Sequence, residues 1–194
     1  MISTRDFVLY ILKTADEFVS GESISERIGI SRAAVNTAVK ALRNDGYEIQ
    51  SITNKGYRLI GGSETLCLGE MLEYTGTERA ESINILEKVD STNNYLKNLC
   101  AEGKAKEGSC VIADCQTKGK GRRGRRFESK SGVGVYLSYV LDAKGVDTSK
   151  ISEITAWGAV AVREAIEEVC GVSCGIKWVN DIIFEGMKIC GILT

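Results

Sequence analysis

Along the first sixty residues the spacing of apolar positions changes from helical to alternating. Phe7, Val8, Ile11, Leu12 and Ala15 recur three and four residues apart, as on one face of an amphipathic helix. Ser20-Gly21-Glu22 opens a short second helix carrying Ile24 and Ile28. Gly29 makes the turn, and Ser31 is a natural N-cap for a third helix. That helix keeps Ala34, Val35, Ala38, Val39 and Leu42 on one face and ends at Gly46. Its other face presents Arg32, Asn36, Thr37, Lys40 and Arg43. Residues 47–52 and 56–60 then alternate as two strands, joined by Thr53-Asn54-Lys55. Three helices with a tight glycine turn and a two-stranded hairpin describe a winged helix-turn-helix, α with a β wing. Such a module lays its third helix in the major groove and its hairpin against the backbone. Ser31, Arg32, Asn36, Thr37, Lys40 and Arg43 are the candidate DNA contacts.

Gly61-Gly62-Ser63 interrupts the pattern, and a short helix is predicted over 64–74. From Ile83 the character changes. INILEKV is a strand, and Asp90-Ser91-Thr92-Asn93-Asn94 starts a helix that runs to Ala101. Ser91 or Thr92 can cap it, and the free N–H groups of such an end also suit a ligand carbonyl or anion. Residues 109–114 form an apolar strand, and GVGVYLSYVL (132–141) predicts a long one, rich in β-branched and aromatic residues. An amphipathic helix over 151–169 contains Trp157. Strands follow at 174–178, 182–184 and 187–193, with Glu185-Gly186 turning between the last two. The expected organisation is a winged helix over 1–62, a linker with a short helix over 63–82, and an α+β mixed-sheet domain over 83–194.

Composition narrows the chemistry. With 43% hydrophobic and 26% charged residues the chain is ordinary for a globular protein. No apolar run is long enough to span a bilayer, and Asp6, Lys13, Asp16 and Glu17 rule out a secretory signal, so a cytoplasmic protein with no membrane partner is expected. The seven cysteines form no CxxC pair and are expected to be reduced and mostly buried, with no metal site. The absence of histidine removes Ser-His-Asp and Cys-His nucleophilic catalysis and any imidazole acid–base step. Proline is also absent, for which we have no physical account. Over residues 1–60 basic groups outnumber acidic ones by only one, which is weak for a DNA binder. Clustering of Arg32, Lys40 and Arg43 on one helix offsets this in part, and dimerisation is expected to supply further affinity. A protein-interaction module with a solvated polar face stays open at this point.

Against a formal net charge of -1, residues 116–127, QTKGKGRRGRRF, concentrate six cations among three glycines. Gly119-Lys120-Gly121-Arg122-Arg123-Gly124 matches G-x-G-x-x-G, but a strand follows instead of the helix that a dinucleotide fold requires. A Walker A loop is excluded because no G-K-[ST] is present. A nucleic-acid patch or a plain solvated loop remains an alternative. The reading preferred is a flexible phosphate clamp, with arginine forks for phosphate oxygens. Nucleotidyl transfer suits it, because a carboxylate and a triphosphate repel and cations can offset that charge without histidine.

Four segments in order resemble one family, the biotin protein ligases: VDSTNNYLK (89–97), ADCQTKGKGRRGRRF (113–127), GVYLSYVL (134–141) and KWVNDIIFEGMKICGIL (177–193). The winged helix resembles the N-terminal domain of the bifunctional members, which also repress biotin-synthesis genes. The resemblance implies that Ser91, Thr92, Asn93 and Gln116 contact the biotin ureido ring. Lys120, Gly121 and Arg122 would close over biotin, with Gly119, Arg123, Gly124 and Arg125 over the adenylate phosphate. Lys177 and Arg122 would be the catalytic cations near the carboxylate and α-phosphate. Trp178 is expected to pack, and Asn180 and Asp181 to fix the strand turn. The implied reaction joins biotin and ATP, with Mg²⁺, to biotinyl-AMP, then transfers biotin to a lysine of a biotin carboxyl carrier protein. The adenylate would serve as corepressor on operator DNA, promoting a homodimer by ordering the basic loop.

The sequence departs from the family pattern in three places. Lys120 stands where arginine is usual, Val179 where proline is usual, and ESKSGVG where a Ser-Pro-x-Gly stretch is usual. Lysine keeps the charge but loses the bidentate fork. The family continues beyond the Gly-Ile-Leu segment with more strands, part of the ATP site and a small β domain. The fold is therefore expected to be incomplete after Thr194, with an exposed sheet edge open to pairing with another chain. A non-enzymatic repressor that only senses biotin or its adenylate, or an inactive ligase fragment, is the second expectation. A lipoate-type ligase is the third, disfavoured by the Gly/Arg loop.

Overall fold

A computed structural model of the chain describes residues 2–142, 147 and 150–194, without the side chains of 151 and 152. It divides into two compact units, Met1–Lys118 with Glu128–Val140, and Gly119–Phe127 with Leu141–Thr194.

The first unit begins with the winged helix. Helices α1 (Thr4–Lys13), α2 (Gly21–Ile28) and α3 (Arg32–Asn44) each start at a serine whose hydroxyl accepts a backbone N–H of the first turn: Ser3, Ser20 and Ser31. Gly29 closes α2 in the left-handed region at φ 73°, which costs glycine nothing. Helix α1 stops short of Ala15, with Thr14 as its C-cap, whose N–H and hydroxyl both donate to the Tyr10 carbonyl, at 3.0 and 2.9 Å. Val8, Leu9, Leu12, Ile24, Val35, Val39 and Leu42 form the centre of the core. Leu9 is absent from the apolar stripe expected for α1, and it is buried because a later helix covers its side of α1. Strands β1 (Glu48–Ile52) and β2 (Gly56–Gly61) pair antiparallel as the wing. Val19 adds an unanticipated antiparallel bridge on β2, exchanging backbone bonds with Tyr57 at 2.8 and 2.9 Å.

Helix α4 (Leu68–Thr75) starts later than the expected residue 64. Ser63 explains the delay, since its hydroxyl donates to the Asp45 carbonyl and accepts the Thr65 N–H, holding the chain against the end of α3. The helix packs on α1 through Gly69, where a Cβ would lie 2.5 Å from the Asp6 carbonyl oxygen. Cys67 donates to the buried Asp6 carboxylate at 3.0 Å, and Lys13 pairs with Glu70. A 3-10 turn over Thr77–Ser82, not foreseen, leads to the sheet.

Strands β3 (Ile83–Val89) and β4 (Cys110–Gln116) are parallel, joined by helix α5 (Thr92–Ala101), and β5 (Tyr136–Tyr139) adds antiparallel to β4. The long strand expected over 132–141 therefore shrinks to four residues. The Asp114 carboxylate accepts from the Ser131 hydroxyl and from the Gly132 N–H at 2.9 Å, and Gly132 sits at φ 73°. That clasp turns the chain before the β-branched residues can join the ladder.

The second unit contains helix α6 (Ile151–Cys170) and an antiparallel meander, β6 (Gly175–Lys177), β7 (Asp181–Phe184) and β8 (Met187–Gly191). Glu185 and Gly186 have φ 49° and 78°, the two positive values of a tight hairpin turn. Ala159, Cys174 and Ile182 are buried there. The α+β, mixed-sheet expectation thus holds, as two three-stranded sheets. Trp178 does not pack: it is 79% exposed. All seven cysteines are free, and only Cys67, Cys110 and Cys174 are buried, fewer than expected.

Candidate functional site

Three groups of polar side chains correspond to the three sets of candidate residues. At the cap and along α3 all six candidates are exposed, and Ser31, Asn36, Thr37 and Arg43 also bond within the protein. The Ser31 hydroxyl caps the helix through the Ala34 N–H at 3.1 Å, and Thr37 donates to the Ala33 carbonyl at 3.1 Å. Asn36 donates to the Tyr57 hydroxyl at 3.3 Å, and the Arg43 guanidinium donates to β1.

The second group surrounds the start of α5. Ser91 is its N-cap, which resolves the choice between Ser91 and Thr92. Thr92 gives both its N–H, at 2.9 Å, and its hydroxyl, at 3.1 Å, to the Gln116 side-chain oxygen. Gln116, at the end of β4, thereby satisfies one of the orphan donors of the helix end. Its amide nitrogen donates to Ser129 at 2.8 Å, and Ser138 on β5 donates to Thr92 at 2.9 Å. Ser91, Thr92 and Ser129 are buried, so this is a preorganised patch of neutral hydrogen-bonding groups. Beside it, the Asn94 amide and then the Ser91 N–H hold the Asp90 carboxyl below the usual carboxylate range. Ser129 and Ser138 escaped sequence reasoning because their membership depends on strand register. Asn93, half-buried in the first turn of α5, adjoins the group in sequence.

The third group lies in the second unit. The basic segment folds on itself, with Gly121 N–H donating to the Arg125 carbonyl at 2.8 Å and Phe127 N–H to Gly119 at 2.9 Å. Arg123 and Gly124 take positive φ values, 57° and 71°. An open cleft of about 320 Å³ is lined by Lys120, Arg122, Arg123, Arg125, Arg126 and Lys188, together with Asn180 and Asp181. Arg122 donates to the Asn180 side-chain oxygen at 2.6 Å, and Asn180 donates to Asp181 at 2.6 Å. Lys188 donates to the same Asp181 oxygen at 2.7 Å. Among the described residues six cations and one carboxylate line this cleft, and that carboxylate is already held by Lys188 and Asn180, a composition that suits an anion. The same donor set does not suit a divalent cation.

Lys177, at the end of β6, is exposed and is not among the residues lining this cleft. Lys188 is the cation that sequence reasoning missed. A single lysine in a strand carries no local signal, and its place beside Asp181 follows from the β7–β8 pairing. Asn180 and Asp181 do brace the turn, since the Ile192 N–H donates to the Asn180 carbonyl at 2.8 Å, but Asn180 also holds the basic loop.

Comparison with known proteins matches two regions of the chain. Residues 85–194 match the Biotin/lipoate A/B protein ligase family, and residues 4–58 match an HTH domain. The chain is 37% identical over 190 residues to the bifunctional ligase/repressor BirA of Bacillus subtilis (strain 168), covering 98% of this chain and 58% of that protein. Its identity to the bifunctional ligase/repressor BirA of Escherichia coli (strain K12) is 34% over 192 residues, covering 99% and 58% respectively. A biotin protein ligase from Leishmania major, solved in complex with biotin, superposes with a TM-score of 0.51 at 27% identity, covering 58% of this chain and 50% of that one. The chain thus spans about 58% of the length of the curated relatives that it matches.

Proposed function

The chain belongs to the Biotin/lipoate A/B protein ligase family, and from that premise we propose that it activates biotin with ATP and represses biotin-synthesis genes. The carboxylate of biotin attacks the α-phosphorus of ATP, pyrophosphate leaves, and biotinyl-AMP forms. The amine of a lysine on a biotin carboxyl carrier protein then attacks the acyl carbon, and AMP leaves. The observation that carries the reading is the cleft lined, among the described residues, by six cations and one carboxylate, with Lys188 of those cations held by the carboxylate. The first step brings together two anions and needs no proton transfer, because the attacking carboxylate is already ionised at neutral pH. Fixed cations are therefore the catalytic element such a chain can supply, and the lack of histidine is no obstacle.

In this reading Ser91, Thr92, Asn93 and Gln116 receive the neutral ureido ring, and Lys120, Gly121 and Arg122 the rest of biotin. Gly119, Arg123, Gly124 and Arg125 take the adenylate phosphate. The charge on the reacting atoms is offset by Arg122 with Lys177, or with Lys188, the cation that lines the cleft. Mg²⁺ would enter with the nucleotide, since Asp181, the carboxylate among the described residues lining the cleft, is already held by Lys188 and Asn180. Residues 1–62 bind operator DNA through Ser31, Arg32, Asn36, Thr37 and Lys40, residues 63–82 connect, and residues 83–194 carry the ligase site. The adenylate acts as corepressor and favours a homodimer, so sedimentation with and without biotin and ATP is expected to differ in mass. A cytoplasmic location fits: among the described residues no helix is long and apolar enough to cross a membrane.

The test is formation of biotinyl-AMP from labelled ATP, Mg²⁺ and biotin. Arg122→Ala is expected to lower the rate about 100-fold, as for loss of one preorganised transition-state donor. A comparable loss in Lys188→Ala with activity kept in Lys177→Ala assigns the second cation to the cleft, and the reverse assigns it to Lys177. Biotin binding without any adenylate would leave a biotin-sensing repressor instead of a ligase.

A further inference from the structure

Arg43 stands on the polar face of α3, but its Nε and Nη2 are already engaged within the protein. Nε donates to the Ile49 carbonyl at 3.1 Å, and Nη2 donates to the same oxygen at 2.6 Å and to the Ser51 hydroxyl at 2.6 Å. Both acceptors belong to β1. The β1–β2 ladder is irregular between Glu48 and Ile49, the kind of break where a carbonyl needs a partner from outside the sheet. Asn36, about two turns earlier on α3, reaches β2 through the Tyr57 hydroxyl at 3.3 Å. Helix and wing are therefore tied at two points, one on each strand. A two-stranded hairpin is marginal by itself, so such ties decide its placement. The cations that the wing presents are Lys55 at its tip and Arg58 on β2, both exposed.

We infer that Arg43 is a positioning residue, a strut that fixes the wing on the recognition helix so that Lys55 and Arg58 meet DNA phosphates. Its Nε and both N–H groups of Nη2 are spent on β1, so the role assigned to it is this internal tie and not a phosphate contact. The inference rests on the DNA-binding reading of residues 1–62.

Two measurements on the full chain test it: amide hydrogen exchange, and anisotropy binding to a mixed-sequence DNA duplex at low salt. Arg43→Ala is expected to speed exchange at residues 49–52 and 56–59 while α1 stays protected. It should weaken binding roughly tenfold, the scale of losing one or two phosphate contacts. Arg43→Lys should recover part of this, since lysine replaces one donor but not the fork. In a Lys55→Ala/Arg58→Ala background, adding Arg43→Ala should cost less than about twofold, the non-additivity of residues acting as one unit. A full tenfold loss in that background would mean that Arg43 touches DNA, and unchanged binding by Arg43→Ala alone would mean that the strut is idle. Either result overturns the inference. If the unaltered protein binds no duplex, the DNA-binding reading fails and the inference with it. That failure is told apart from a failed strut because the exchange measurement needs no DNA.

Discussion

In the winged helix, Val8, Leu9, Ile24, Val35 and Leu42 are wholly shielded from solvent. Along Gly119–Phe127, Lys120, Arg122, Arg123, Arg125 and Arg126 are all exposed, and the segment is held by a few polar contacts. The first region gains its shape mainly from apolar burial, a non-directional term, and its buried Asp6 is kept there by hydrogen bonds. The second keeps like charges together, so an anion bound there would add to its stability. A region that folds for itself and a region arranged for something else therefore differ in what a mutation does to them.

The sharpest way to break that contrast is to cut a side chain from each unit. Leu42→Ala is expected to lower the unfolding free energy by about 2–5 kcal/mol, seen as a shift in urea midpoint. Ile182→Ala, equally shielded but in a three-stranded sheet with a thin cover, is expected near the lower end of that range. Equal costs would mean that the second unit is packed as tightly as the first. Gly56→Ala comes next. At φ +108° a Cβ there would meet the Val19 carbonyl oxygen at 2.1 Å, so the Val19–Tyr57 rung must open, at roughly 2 kcal/mol. Amide exchange at Tyr57 reads that opening directly. Ser31→Ala removes one cap and is expected to cost about 1 kcal/mol in thermal unfolding.

These same residues explain what could be read from sequence. Ser31, Gly29 and the Ala34–Leu42 stripe are local signals, spaced within one helix, and they translate directly into α3. Leu9 was not on the expected stripe because its burial comes from α4, some sixty residues later. Arg43 looked like a DNA contact because its face is polar, but its partners are backbone and side chain of β1. Of the candidate site, the capped start of α5 and the cationic loop were legible in composition and spacing. The Gln116–Thr92–Ser138 network and the Lys188–Asp181–Asn180–Arg122 chain were not, since strand register brings them together and register has no local signature.

The smallest effect concerns Asp114, which joins the two styles of construction in one residue. It lies on β4, whose backbone is part of the sheet, and its exposed carboxylate accepts from Ser131 and Gly132 to stop the following chain from extending β5. The Ser131 hydroxyl first, and then the Gly132 N–H, lower its pKa. A lowered folded pKa means that the clasp contributes fully above the unfolded value of about 3.9, and that the contribution is lost as pH falls through the folded value. The Gly132 amide resonance is therefore expected to move in a single step below about pH 3.9. Asp114→Asn, which keeps an acceptor but cannot titrate, should abolish the step while leaving the urea midpoint almost unchanged. A step that survives in Asp114→Asn would place the titrating group elsewhere. The early end of β5 would then follow from Gly132 and its left-handed conformation alone, and residues 132–135 would owe their course to backbone geometry instead of charge.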